Sequence, residues 1–221
     1  MLDYRLASVV THTQASRNPF PAALIDCLSA YFYLIGLGFS PENIIVTGDS
    51  AGGNLALTLT RHLSTMGVAL PGHLVVLSPA ADLTLSHNGP ESSGVRNTTD
   101  FSHPWFAPDI MLDAIRGLAL SREDAIASMW LNPGGSVVRG ATGWFSGFKA
   151  TKTMILAGGA EASFDGMWVL RDRIWADLGE NEKERCVWLE GKDMPHNWPN
   201  SPVFDPQGED AIKKIAKFIE N

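Results

Sequence analysis

The chain has 221 residues, is 45% hydrophobic, and carries a net charge of −7 from 17 Lys and Arg against 24 Asp and Glu. That length and apolar content suit one domain with a sizeable core, or one domain bearing an insertion. The acidic balance, with no basic run or stripe, excludes a nucleic-acid surface, and no stretch reaches the ~18 to 20 apolar residues of a membrane span.

The first residues, "MLDYRLASVV", lack the basic start and apolar run of a signal peptide, so the default expectation is a cytoplasmic chain. Pro21 to Gly36, "PAALIDCLSAYFYLIG", has apolar residues at helical spacing behind a proline suited to a first turn. "NIIVTG" is too short and too β-branched for a helix and reads as a buried strand. After Ser50 the period changes, and Gly52 to Met66 predicts a helix ending before Gly67.

"HLVVLSPAADL", "TMILAGGAE" and "RCVWLEG" read as three further strands, with helical patterns at Asp165 to Leu178 and Glu209 to Glu220. Strands alternating with helices predict an α/β fold whose mostly parallel sheet is covered on both faces. Between the second and third strands, Thr84 to Ala150 forms a stretch of roughly 65 residues, too long for a loop in a compact domain. It holds Trp105, Phe106, Trp130, Trp144, Phe145 and Phe148 and a helical pattern around Asp109 to Leu118. The expectation is a single domain, 1–221, with a cap inserted at about 84–150 over the carboxyl ends of the strands, where open α/β sheets bind ligands. The two cysteines, Cys27 and Cys186, sit in no metal or redox spacing and read as buried thiols, so neither metal nor cofactor is expected.

The segment "GDSAG", Gly48 to Gly52, fits G-x-S-x-G between a strand and a helix. Such an elbow lifts a serine above the sheet edge, and small residues two before and two after let the backbone close without clash. Ser50 is therefore the candidate nucleophile, and the Ala51 N–H at the helix start is a candidate oxyanion donor. A serine hydroxyl needs a base. Of six histidines, His196 in "GKDMPHNWP" follows the fourth strand by a short loop and so falls at the same sheet end as Ser50. His62 lies far along the helix that Ser50 opens, His73 precedes a strand, His87 and His103 fall in the cap, and His12 is in an unusual amino-terminal segment. The base needs an acid from the loop after the third strand, and "AGGAEASFD" offers Glu161 and Asp165. Glu161 is favoured, because Asp165 opens the next helix, where a carboxylate suits the dipole anyway.

With these positions in place, the chain resembles the hormone-sensitive lipase branch of the α/β-hydrolase fold, especially its fungal esterase-like members. The resemblance rests on "DYRLA" at Asp3 to Ala7, "PFPAALIDCLSAYFYLI" at Pro19 to Ile35, "GDSAGGNLAL" at Gly48 to Leu57, "LSPAADLT" at Leu77 to Thr84, "GGAE" at Gly158 to Glu161 and "DMPH" at Asp193 to His196. It implies Ser50 as nucleophile and His196 as base. Many relatives carry D-P-L-x-D after the third strand; on "EASFD" its first aspartate, the triad acid, falls on Glu161 and its second on Asp165.

The family also implies a His-Gly-Gly stretch upstream of "YRLA" that completes the oxyanion hole, together with several strands. This sequence starts at "MLDYRLA" and departs again at "SVVTHTQASRN", Ser8 to Asn18, so it reads as truncated at the amino terminus. Without the family's neighbouring strand, "NIIVTG" is expected to be an exposed apolar edge. The function implied is a serine carboxylic ester hydrolase acting on a small-molecule ester with a hydrophobic or short-chain acyl group. Two alternatives stay open: an impaired hydrolase fragment or binding module, and an amidase or deacetylase using the same triad.

Overall fold

The computed structural model describes residues 1–8, 17–84, 86–100, 108–116 and 120–220. Most of the unusual Ser8 to Asn18 segment, with His12, and also His103, Trp105 and Phe106, lie outside the described residues. Four strands, β1 (Ile45–Asp49), β2 (His73–Leu77), β3 (Lys152–Gly158) and β4 (Cys186–Gly191), form one parallel sheet in the order β1-β2-β3-β4. Each strand coincides with an expected apolar run. The central strands β2 and β3 are buried almost throughout, which is why their sequences are continuous runs and not alternating ones.

Seven helices surround the sheet among the described residues: α1 (Ala22–Gly36), α2 (Ser50–Thr65), α3 (Ser93–Arg96), α4 (Pro108–Arg116), α5 (Arg122–Ile126), α6 (Phe164–Leu178) and α7 (Gln207–Glu220). Leu74, Val76, Ile155 and Ala157 face α2 and α6, where Ala56, Leu57, Met167, Leu170 and Ile174 complete the largest core cluster. Val75, Leu77, Met154 and Leu156 face the other way, toward Ala211 and Ile215 of α7. Burying a large aliphatic side chain contributes about 1.5–3 kcal/mol, so these two layers hold the strand ends in register. Beyond α2, Leu24 and Tyr31 of α1 pack against Leu59 and Leu63.

Among the described residues β1 and β4 are the two edge strands; β1 pairs with β2, and its residues Ile45, Thr47 and Asp49 are exposed. The aromatic residues expected in a cap take two courses. Phe145 and Phe148, edge to face at 5.1 Å and 1% exposed, belong to the main core beneath α2 and α6. Trp130 and Trp144 pair at 4.7 Å along the flank of α2, where Trp130 meets His62 and Arg61 stacks on Trp144. Their large apolar area is buried against helix flanks, not over strand ends. Leu112, Ala125 and Leu131 of the insertion form a separate cluster with Ala80 and Leu83 from just after β2.

Candidate active site

The strand-to-helix turn at Gly48–Gly52 places Ser50 at φ 50°, in the left-handed region that a serine seldom adopts. Asp49 ends β1 in extended conformation and Ser50 begins α2, while the Ser50 carbonyl accepts a hydrogen bond from Ala80 N at 2.9 Å. A Cβ on Gly48 would lie 2.3 Å from the Gly52 carbonyl oxygen, so the turn closes only with glycine there. The requirement expected at Gly52 is not found: a Cβ there would meet only the Tyr4 hydroxyl, at 3.8 Å. The second crowded glycine is Gly53, whose Cβ would press on Pro79 at 2.9 Å. The Ala51 N–H lies in the first turn of α2, where helix geometry leaves N–H groups without intrahelical acceptors.

Glu161 and His196 meet after β3 and β4. The Glu161 side chain is fully buried, and its Oε2 lies 2.8 Å from Nδ1 of His196, whose side chain is 12% exposed. A carboxylate only accepts, so Nδ1 carries the proton and Nε2 is left as the basic nitrogen. The other Glu161 oxygen, Oε1, accepts from Gly158 N and from Ser78 Oγ, both at 2.6 Å. Gly158 also lets the histidine loop approach, since a Cβ there would lie 2.2 Å from the Met194 carbonyl oxygen.

Ser78 is a site residue that the motif reading missed. It sits at φ 44° just beyond β2, fully buried, and accepts from Asn197 N at 3.0 Å while donating to Glu161. Because a backbone N–H can only donate, the Ser78 hydroxyl proton is directed at Glu161. Asn197 in turn donates through Nδ2 to Asp49 Oδ2 at 3.0 Å. The residue before Ser50 is thus tied to the residue after His196, which brings the serine and histidine loops together. The available signal was a hydroxyl ending a wholly apolar strand.

Asp165 takes a different place. Its Oδ2 accepts from Ser93 N at 2.8 Å, and its N–H donates to Ser93 Oγ at 3.0 Å, binding the start of α6 to α3. Of the other described histidines, His62 packs on Trp130, His73 packs on Phe218, and His87 Nε2 lies 2.8 Å from the Gly134 carbonyl.

Burial of His196 disfavours the imidazolium, but the Glu161 hydrogen bond and the charges of Glu161, Asp100 and Asp49 outweigh it, so the pKa stands above the ordinary histidine value. Beside Ala51, a cavity of about 260 Å³ is lined largely by apolar groups, including Phe20, Leu55, Leu83, Met111 and Leu131. Among the described residues, no group of three or more His, Cys, Asp or Glu is arranged to hold a metal ion. Nor is any helix there long and apolar enough to cross a membrane.

Comparison with known proteins places the chain in a family. A crystal structure of a hormone-sensitive lipase from a metagenome library superposes with a TM-score of 0.76 at 27% identity, covering 99% of this chain and 65% of that one. Esterase LipU of Mycobacterium tuberculosis is 37% identical over 114 residues, 52% of this chain and 37% of its own length. Hormone-sensitive lipase of Mus musculus is 35% identical over 81 residues, 35% of this chain and 11% of its own. The chain therefore spans about two thirds of that solved relative, and its matches cover smaller shares of the curated ones. Residues 4–200 match the family described as the alpha/beta hydrolase fold, and the chain belongs to that family, in its hormone-sensitive lipase branch.

Proposed function

We propose that the chain is a serine carboxylic ester hydrolase in which Ser50, His196 and Glu161 act as nucleophile, base and orienting acid. The observation that carries this reading is the 2.8 Å Glu161–His196 hydrogen bond, on a loop tied through Asn197 to the strained turn that presents Ser50. As the Ser50 oxygen bonds to the acyl carbon, Nε2 of His196 takes the hydroxyl proton and then gives it to the departing alcohol. Water attacks the acyl-enzyme by the same route and releases the acid. The Ala51 N–H faces the developing oxyanion, where one such donor contributes about 10²–10³ in rate. The apolar cavity beside Ala51 suits a hydrophobic acyl or alkyl group.

The test is hydrolysis of a short-chain nitrophenyl ester by the whole chain and by Ser50→Ala. Turnover that disappears in the variant is expected, and undiminished turnover would discard the assignment. Because only neutral His196 can accept the proton, kcat/KM should fall as pH is lowered through a value above the ordinary ~6.5 of histidine. A second reading, a catalytically impaired member of the fold, is favoured by β1 being an edge strand among the described residues, next to the elbow. Folded protein without turnover in the same assay would select it.

A further inference from the structure

Among the described residues, the insertion between β2 and β3 reaches the candidate triad through one short segment. Ser93 Oγ donates to the Ala162 carbonyl at 2.9 Å, and Asn97 Nδ2 donates to the Glu161 carbonyl at 2.8 Å and to the Gly159 carbonyl at 3.3 Å. Asp100 goes further. Only 2% exposed, it accepts from Ala162 N through Oδ2 at 2.9 Å and from His196 N through Oδ1 at 3.5 Å. One buried carboxylate thus spans the residue after the acid and the base itself, although Asp100 lies 96 residues before His196 in the chain.

We propose that Asp100 is a positioning residue of the triad, whose carboxylate joins the Glu161 loop to the His196 backbone and holds acid and base in register. This rests on the hydrolase reading above. A carboxylate suits the task because it offers two acceptor oxygens to N–H groups from two separate loops. Its charge has a second effect. The acidic groups acting on His196 come from three elements: Glu161 after β3, Asp100 in the insertion and Asp49 at the end of β1. Burial of the imidazole opposes its protonation, and these groups together overcome that opposition. Removing the Asp100 charge leaves burial opposed by fewer groups, so His196 holds its proton less tightly.

The experiment uses the whole chain with Asp100→Asn, which removes the charge at nearly constant shape. Asp100→Ser is a second uncharged variant whose hydroxyl still accepts one N–H, and Asp100→Glu is the conservative control. His196 titration is followed by NMR of its imidazole, alongside kcat, KM and the pH profile for a short-chain nitrophenyl ester. In the uncharged variants His196 should titrate at lower pH than in the wild type and the acid limb of activity should move with it. In the same variants kcat should fall about 10- to 100-fold at nearly constant KM. Asp100→Glu should recover part of both effects. A residue that merely stabilises the fold would lower Tm without moving the titration. An unmoved His196 titration in whichever uncharged variant is folded would overturn the proposal, and so would a loss confined to KM. Wild-type turnover that survives Ser50→Ala would instead sink the hydrolase reading, and the imidazole titration would still decide whether Asp100 acts on His196.

Discussion

Glu161 and His196 follow β3 and β4, where Ser78, Asn97 and Gly158 donate to Glu161, Asp100 accepts from His196 N, and Asn197 N donates to Ser78. Ser50 stands at the end of β1, one of the two edge strands among the described residues, whose Ile45, Thr47 and Asp49 are exposed. Beside it, α1 and the loop after it leave Ile25, Tyr33, Leu37 and Phe39 exposed as well. One half of the site is fixed by polar partners from four separate segments. The other is fixed mainly by the tightness of a single turn, with polar ties from Asn197 to Asp49 and from Ala80 N to the Ser50 carbonyl. Changes in the first half should therefore act on proton transfer with the fold intact, whereas changes in the second should act on stability and association.

The largest contrast lies within the acid loop. In Glu161→Gln the Gly158 N–H demands an oxygen at Oε1, so the amide nitrogen would face Nδ1 of His196 and impose the wrong tautomer. By analogy with the aspartate-to-asparagine change in serine proteases, kcat should fall by about 10³–10⁴ with circular dichroism unchanged. Asp165→Asn touches only the Ser93 contact and should change the rate by about twofold or less, the equivalent of ~0.5 kcal/mol. Equal losses in the two variants would reverse the assignment of the acid.

Next in size is the turn. Gly48→Ala places a methyl group against the Gly52 carbonyl and should cost about 1–3 kcal/mol in denaturant unfolding. Gly52→Ala meets only ordinary contact and, inside a helix, should be neutral or stabilising by up to about 1 kcal/mol. Equal destabilisation by the two would show that the elbow closes differently.

Smallest in stability is the edge. Ile45→Lys puts a charge on a half-exposed strand position and should change stability by less than about 0.5 kcal/mol while reducing concentration-dependent association in sedimentation. Association that does not respond would mean that β1 is not the surface involved.

The sequence revealed the strands because unbroken runs such as "HLVVL" and "MILA" can be buried on both faces only in the middle of a parallel sheet. The elbow was legible for a related reason: a serine flanked by glycines where the period changes marks a tight turn, though the second position with no room for a Cβ proved to be Gly53 and not Gly52. Strand order pointed to His196 and to Glu161 or Asp165, and only the place of Asp165 at a helix start favoured Glu161. Ser78, Asn97 and Asp100 could not, because their partners lie dozens of residues away and "TTDFS" gives no local hint that its aspartate is buried. The same limit hid the course of Phe145 and Phe148, since an aromatic pair among glycines reads alike in a cap and in a core.

The most direct test of the central claim is labelling of the purified chain with a fluorophosphonate probe, beside Ser50→Ala, with the modified residue located by mass spectrometry. Adduct at Ser50 in the wild type and none in the variant is the predicted result. Folded protein that takes up no probe, or takes it up at another residue, would contradict it.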